Sequence, residues 1–208
     1  MSTVVSPAVE QRVLLNASWE TYERLLAEYP DVPGPRFTYN EGVLEIMVLS
    51  ASHEEPNRTL ALLVELVAAE LGVEVRRIGS TTFKRAELLK GFEPDSAFYL
   101  AHAAAVRGRD IDPTVDPPPD LILEIDISRS SLARFPIFAA FGVPEVWRYD
   151  GSRVTIWRLE GGRYVAVESS AALPPLTGPV ATQLLEESRT MRSTEWLRRV
   201  REWARSRR

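Results

Sequence analysis

Ser18 precedes Trp19, Tyr22, Leu25 and Leu26, and this three- and four-residue spacing predicts an amphipathic helix that Ser18 caps and that ends near Pro30. Residues 31–35 then read as a connector. Residues 37–39 and 43–49 predict two strands joined by Asn40, Glu41 and Gly42 in a hairpin-type link. From Pro56, tolerated in a first helical turn, Leu60, Leu63, Val64, Val67, Ala68 and Leu71 repeat at helical period until Gly72 stops them. Residues 73–78, 81–84 and 96–99 are short β-forming runs, and residues 101–119 have loop character through their Gly, Asp and Pro.

Residues 121–127 are nearly all apolar, as in a strand buried on both faces, except for Glu124 and Asp126. Because strand side chains alternate, those two carboxylates share a face. A short helix over 137–141 ends at Gly142, with Pro136 in its first turn. Residues 145–149, 154–159 and 164–168 predict a meander that extends the sheet. Residues 181–188 and 193–205 predict two helices, giving one α/β domain over 1–180 and a helical tail over 181–208. Trp196, Leu197, Val200 and Trp203 form an apolar stripe on that tail, which the pattern packs on the body or on a second subunit.

The chain has 208 residues, 45% hydrophobic and 26% charged, which is enough to bury a core. It has no Cys, which excludes disulfides, thiolate zinc sites and a cysteine nucleophile. Residues 1–12 lack the basic start and apolar run of a signal peptide, and no apolar stretch approaches the ~20 residues that span a bilayer, so a cytoplasmic location is expected. No phosphate-binding Gly-x-x-x-x-Gly-Lys loop is present, which argues against a nucleoside-triphosphate motor. A net charge of -4 argues against a surface that coats nucleic acid as a whole, although Arg198, Arg199, Arg201, Arg205, Arg207 and Arg208 crowd the last segment. A local basic face stays open.

Asp95, beside Pro94, joins Glu124 and Asp126 as carboxylates where burial is expected. Such groups need a proton, a cationic side chain or a metal. A salt bridge from Arg76, Arg77 or Lys84 is one answer, and a hard divalent cation is another. Glu93-Pro94-Asp95 followed by Asp120-Leu121-Ile122-Leu123-Glu124 resembles the Pro-Asp and Glu-x-Lys halves of the PD-(D/E)XK nuclease signature. The setting adds weight: Gly42-Val43-Leu44-Glu45, His53-Glu54, Gly79-Ser80-Thr81, and Gly142-Val143-Pro144-Glu145-Val146-Trp147. Together these resemble the putative restriction endonuclease family over roughly 39–164.

The resemblance implies an α/β, restriction-endonuclease-like mixed sheet flanked by helices, with Asp95 and Glu124 binding magnesium, or manganese in its place. It implies DNA phosphodiester hydrolysis, with DNA as partner and a homodimer as assembly. Glu45 matches an acidic family position and His53 a histidine that would orient a water or phosphate; as plain residues they are a carboxylate and a helix-start side chain bonding its own backbone. The signature's lysine position holds Asp126, which either joins the metal or pairs with Arg134 or Arg148. Arg134, in the following helix, takes the place of the basic residue, and an arginine is a poor proton-transfer group. A nuclease-fold module that binds nucleic acid or protein without catalysis is therefore the alternative. His102 reads as a surface histidine, and Lys84 and Arg85 as solvated surface or phosphate contacts.

Overall fold

The structure is a computed structural model that describes residues 11–29, 35–48, 50–127 and 132–207. The end of the first predicted helix at Pro30, most of the predicted connector and Leu49 lie outside the described residues. Strand β1 (Gln11–Asn16) and helix α1 (Trp19–Glu28) lead into the hairpin β2 (Arg36–Asn40) and β3 (Val43–Val48). Ser18 caps α1 by accepting from Thr21 N. The hairpin closes through Glu41 and Gly42, both with positive φ (48° and 97°), the conformation that lets a two-residue turn follow the strands' twist.

Helix α2 (Ala51–Leu71) starts five residues earlier than Pro56 suggests. Pro56 sits inside the helix. The carbonyl it fails to engage belongs to Ser52, an exposed residue, so water can satisfy it. The helix ends at Gly72 in the left-handed conformation, φ 73°. Short strands β4 (Arg76–Arg77), β5 (Phe83–Arg85), β6 (Lys90–Phe92) and β7 (Ser96–Tyr99) follow, so the run expected over 73–78 yields two strand residues and β6 is an addition. Next come β8 (Leu121–Ile125), α3 (Phe135–Phe141), the meander β9 (Glu145–Tyr149), β10 (Val154–Glu160) and β11 (Arg163–Val167), and helices α4 (Gly178–Thr190) and α5 (Ser193–Arg205).

The strands divide between two sheets. One is antiparallel, in the order β1-β3-β2-β6-β5; the other runs β11-β10-β9-β8-β7-β4, with β8 and β9 parallel and every other pair antiparallel. All five residues of β8 are buried, as a central strand covered on both faces requires. On one side α2, α4 and α5 close a core of Leu63, Val64, Leu123, Trp147, Leu185 and Trp196; on the other, α3 packs Phe138 and Phe141 against Phe92.

The tail's apolar stripe belongs to that first core. Trp196, Val200 and Ala204 are buried in the chain's own interior, and Trp196 Nε1 donates to Leu184 O at 2.7 Å. The homodimer expectation loses the support it took from this stripe. Of the tail arginines, Arg201 and Arg205 pair with Glu70 of α2 and Arg199 with Glu187 of α4, which lowers their positive field. Among the described residues no helix is long and apolar enough to cross a membrane.

Gly178, the first residue of α4, lies so close to β10 that a Cβ there would stand 2.7 Å from the Val154 carbonyl oxygen. A backbone atom cannot swing aside as a side-chain tip can. Gly178→Ala is expected to destabilise the fold by about 1–3 kcal/mol, read as a lower Tm. An unchanged Tm would contradict this packing of helix on strand.

Candidate active site

Three residues, Glu93, Pro94 and Asp95, carry the chain from β6 in the first sheet to β7 in the second. Their path is pinned. Glu93 accepts from Phe37 N at 2.9 Å and from Thr82 Oγ1 at 2.6 Å, while Pro94 O accepts from the Arg36 guanidinium at 3.4 Å. Asp95 is thereby fixed at the junction of the sheets. The antiparallel register pairs Ser96 with Leu123, and continued by one residue it sets Asp95 opposite Glu124. Directly opposed residues of an antiparallel pair project from the same face.

Asp95 is 3% exposed. Its Oδ2 accepts from Ile125 N at 2.7 Å and lies 3.3 Å from His53 Nε2. His53 and Asn57 stand four residues apart on α2, so the face that buries Leu60 and Val64 farther along begins with two polar side chains beneath Asp95. Asn57 Nδ2 donates to Asp95 O at 3.2 Å and its Oδ1 accepts from Ser96 Oγ at 2.8 Å. Burial by itself would raise the Asp95 pKa. The His53 hydrogen bond and charge, the Arg134 charge and the Ile125 N–H outweigh it and hold the carboxyl below its ordinary range.

Glu124 behaves in the opposite sense. Burial pushes its carboxyl up to about 7, aided by the negative charge of Asp95, and Arg134 only partly offsets this. Two neighbouring carboxylates whose pKa values are driven apart act as a coupled pair. Arg134, at the start of α3, donates to Glu124 Oε2 at 2.8 Å and to Glu45 Oε1 at 2.7 Å. Burial disfavours its charge, but Glu124, Glu45 and Asp95 together raise its pKa above the ordinary arginine value.

The structure thus gathers Asp95, Glu124, Arg134, Glu45 and His53 into one buried network. Asp126 lies at its margin, paired with the Arg148 guanidinium and 3.8 Å from that of Arg12. Glu45 and His53 face inward. Glu45 holds Arg134, and His53, fully buried, bears on Asp95. Arg76, Arg77 and Lys84 are engaged elsewhere, with Arg109 O, Glu65 and Glu23 respectively, so none of them neutralises Asp95 or Glu124. Arg85 bonds Pro113 O and lies over the Phe141 ring, and half-exposed His102 bonds Asp120.

Sequence reasoning missed Arg12, which β1 brings to 3.7 Å from Glu45, and Asn57. The apolar run beside Arg12 was the available signal, but Val13, Leu14 and Leu15 all remain exposed, so it lacked the alternation of a half-buried strand. Asn57 carried no signal apart from standing four residues after His53. A cavity of about 260 Å³ opens beside Glu124, bounded also by Arg12, Asp126, Arg134, Arg148 and an apolar wall.

The donor set was weighed against a magnesium ion. Asp95 Oδ1 and Glu124 Oε1 are buried oxygens with no hydrogen-bond partner among the described residues. Among the same residues no three or more His, Asp or Glu side chains form a ready-made cage. Magnesium asks for less, since one or two carboxylates with water and phosphate oxygens complete its shell. The pair fits.

Residues 19–191 match the family model described as Uma2, putative restriction endonuclease. That span holds every residue of the network except Arg12. No curated protein matches the chain.

Arg134→Met would leave Glu45 and Glu124 buried without their shared cation. Breaking a buried pair in this way costs about 3–5 kcal/mol, so the urea midpoint should fall steeply. Arg134→Lys, keeping the charge but not the planar fork, should lose less. Equal stability of Arg134→Met and the parent would contradict the network.

Proposed function

The chain belongs to the Uma2 family of restriction-endonuclease-like proteins, and from that premise we propose that it hydrolyses phosphodiester bonds of DNA with a magnesium ion held by Asp95 and Glu124. The observation that carries the reading is the two adjacent carboxylates, each with a buried oxygen lacking a hydrogen-bond partner among the described residues, beside a guanidinium. A buried Glu–Arg–Glu triad supports it from another side. Three apolar side chains of similar volume serve stability as well or better, so such a triad is weak evidence for a purely structural role.

Each residue then has a task. Asp95 and Glu124 supply oxygens to the ion, and the Ile125 N–H and His53 fix the orientation of Asp95. Bound magnesium would make a water more acidic and polarise the phosphate. In hydrolysis the water oxygen bonds to phosphorus as the bond to the leaving ester oxygen breaks; the leaving oxygen takes a proton from solvent to end as a hydroxyl, and the water's proton passes to solvent. Arg134, always charged, does not take that proton; it balances the negative charge that builds on the phosphate. Glu45 keeps the guanidinium aimed at the site. Asp126 and Arg148 lie at the cavity's edge, where they meet the rest of the substrate.

A second reading, a nuclease fold that binds nucleic acid or protein without cutting, is favoured by the double ion pair of Arg134. Its guanidinium already supplies a cation to Glu124. Plasmid nicking separates the two. The purified protein should nick supercoiled DNA with magnesium or manganese and not in chelator, and Asp95→Asn or Glu124→Gln should lower the rate by about 100-fold or more. In chelator both variants should still unfold in one cooperative step, with Glu124→Gln at the lower Tm because Arg134 loses one of its two carboxylates. No nicking by a folded parent with either ion would favour the silent reading.

A further inference from the structure

The cavity beside Glu124 is lined by unlike groups. Three guanidinium groups, those of Arg12, Arg134 and Arg148, share it with the Glu124 and Asp126 carboxylates. Leu132, Ala133, Phe135 and Phe138 form its apolar wall, while Ile125 packs in the core on the other face of β8. Phe138 is buried; Leu132 and Phe135 are partly exposed and Ala133 is exposed, so the wall is reachable from outside. Arginines suit a phosphate, but an apolar wall with an aromatic ring has nothing to gain from one. An intact duplex turns its charged sugar–phosphate edge outward and keeps its base faces stacked inside. Within a DNA strand, an unpaired nucleotide presents an anionic phosphate and an apolar base face together.

Depth points the same way. The carboxyl groups of Asp95 and Glu124 belong to residues only 3% and 5% exposed, so a phosphodiester has to enter the fold to meet them. The cavity of about 260 Å³ opens beside Glu124 and has Arg134 in its lining, so a phosphate that enters it comes to the buried carboxylate.

We propose that this cavity receives an unpaired nucleotide of a DNA strand, its base against Leu132 and Phe135, its phosphate toward Arg134 and Glu124, and a neighbouring phosphate on Arg148. The inference rests on the nuclease reading for the choice of DNA, and it makes single-stranded or locally unpaired DNA the substrate class. Arg148, with a side chain 42% exposed, is the accessible phosphate contact. Arg12, 3.7 Å from Glu45 and 3.8 Å from Asp126, keeps those ion pairs and adds positive charge to the cavity lining.

Fluorescence anisotropy in chelator, with a labelled single strand and the duplex of the same sequence at equal salt, tests binding apart from cutting. The full chain should bind the single strand at least about tenfold more tightly, because base stacking on the wall adds to the phosphate contacts. Leu132→Asp should remove that preference by setting a carboxylate where the base lies. Ala133→Asp, at an exposed position that can take the change without unfolding, should do the same. Arg148→Gln should weaken both ligands and flatten the salt dependence. Duplex bound as tightly as the single strand, or a preference that survives both wall variants, would overturn the proposal. Cutting is scored separately with manganese on a single strand, a fully paired duplex and a duplex with a bulge. Faster cutting of the single strand and bulge supports the proposal, and faster cutting of the full duplex overturns it. Tight single-strand binding with no cutting of any substrate supports the cavity's role while contradicting the nuclease reading.

Discussion

The Arg134 guanidinium, shared between Glu45 and Glu124, joins elements that the chain order keeps far apart. Glu45 lies on β3 of the antiparallel sheet, Glu124 on β8 of the mixed sheet, and Arg134 at the start of α3, which packs against both through Phe138. The bridge is charged and buried, so its parts tolerate little independent change. Losing the arginine takes the shared cation from Glu124 and Glu45, of which Glu45 still has Arg12 at 3.7 Å, and losing either glutamate leaves the guanidinium with half of these two ion pairs. The covalent counterpart is Glu93-Pro94-Asp95, which crosses between the sheets at the same place and is tied to β2 and Thr82 by hydrogen bonds. Sheet junction and carboxylate pair are therefore one feature.

Much of the fold could be read from local periodicity. The stripe of Leu60, Leu63, Val64 and Val67 gave the core face of α2, the unbroken apolar run around Glu124 gave a strand buried on both faces, and Gly-marked turns gave the β9–β11 meander. These signals repeat within a few residues. The restriction-endonuclease-like class followed from the resemblance, and the family match bears it out. What stayed hidden was set by tertiary partners. Pro56 looked like a helix start because its helix could begin earlier at no cost beyond one carbonyl left to water. The strand β1 stayed unread because Val13, Leu14 and Leu15 are exposed, and the division into two sheets leaves no local trace at all.

The candidate site was legible to the same extent. Asp95, Glu124 and Arg134 stood out as charged residues in apolar or signature-like surroundings, and the fold brings them close enough for the charge of each to act on the others. The direction of each partner was not legible. Glu45 and His53 hold other groups of the network, and Asp126 turns to Arg148 and Arg12. Which guanidinium meets which carboxylate depends on how two sheets and a helix dock, and no spacing along the chain encodes that.

The account stands or falls on whether the Asp95–Glu124 pair attracts a divalent cation although Arg134 already sits beside it. Calorimetric titration of manganese into the chelator-treated protein, with the Asp95→Asn protein as control, measures this without requiring a substrate. The account predicts saturable binding of one ion by the parent and none by Asp95→Asn. No binding by a folded parent, or equal binding by both proteins, would contradict it.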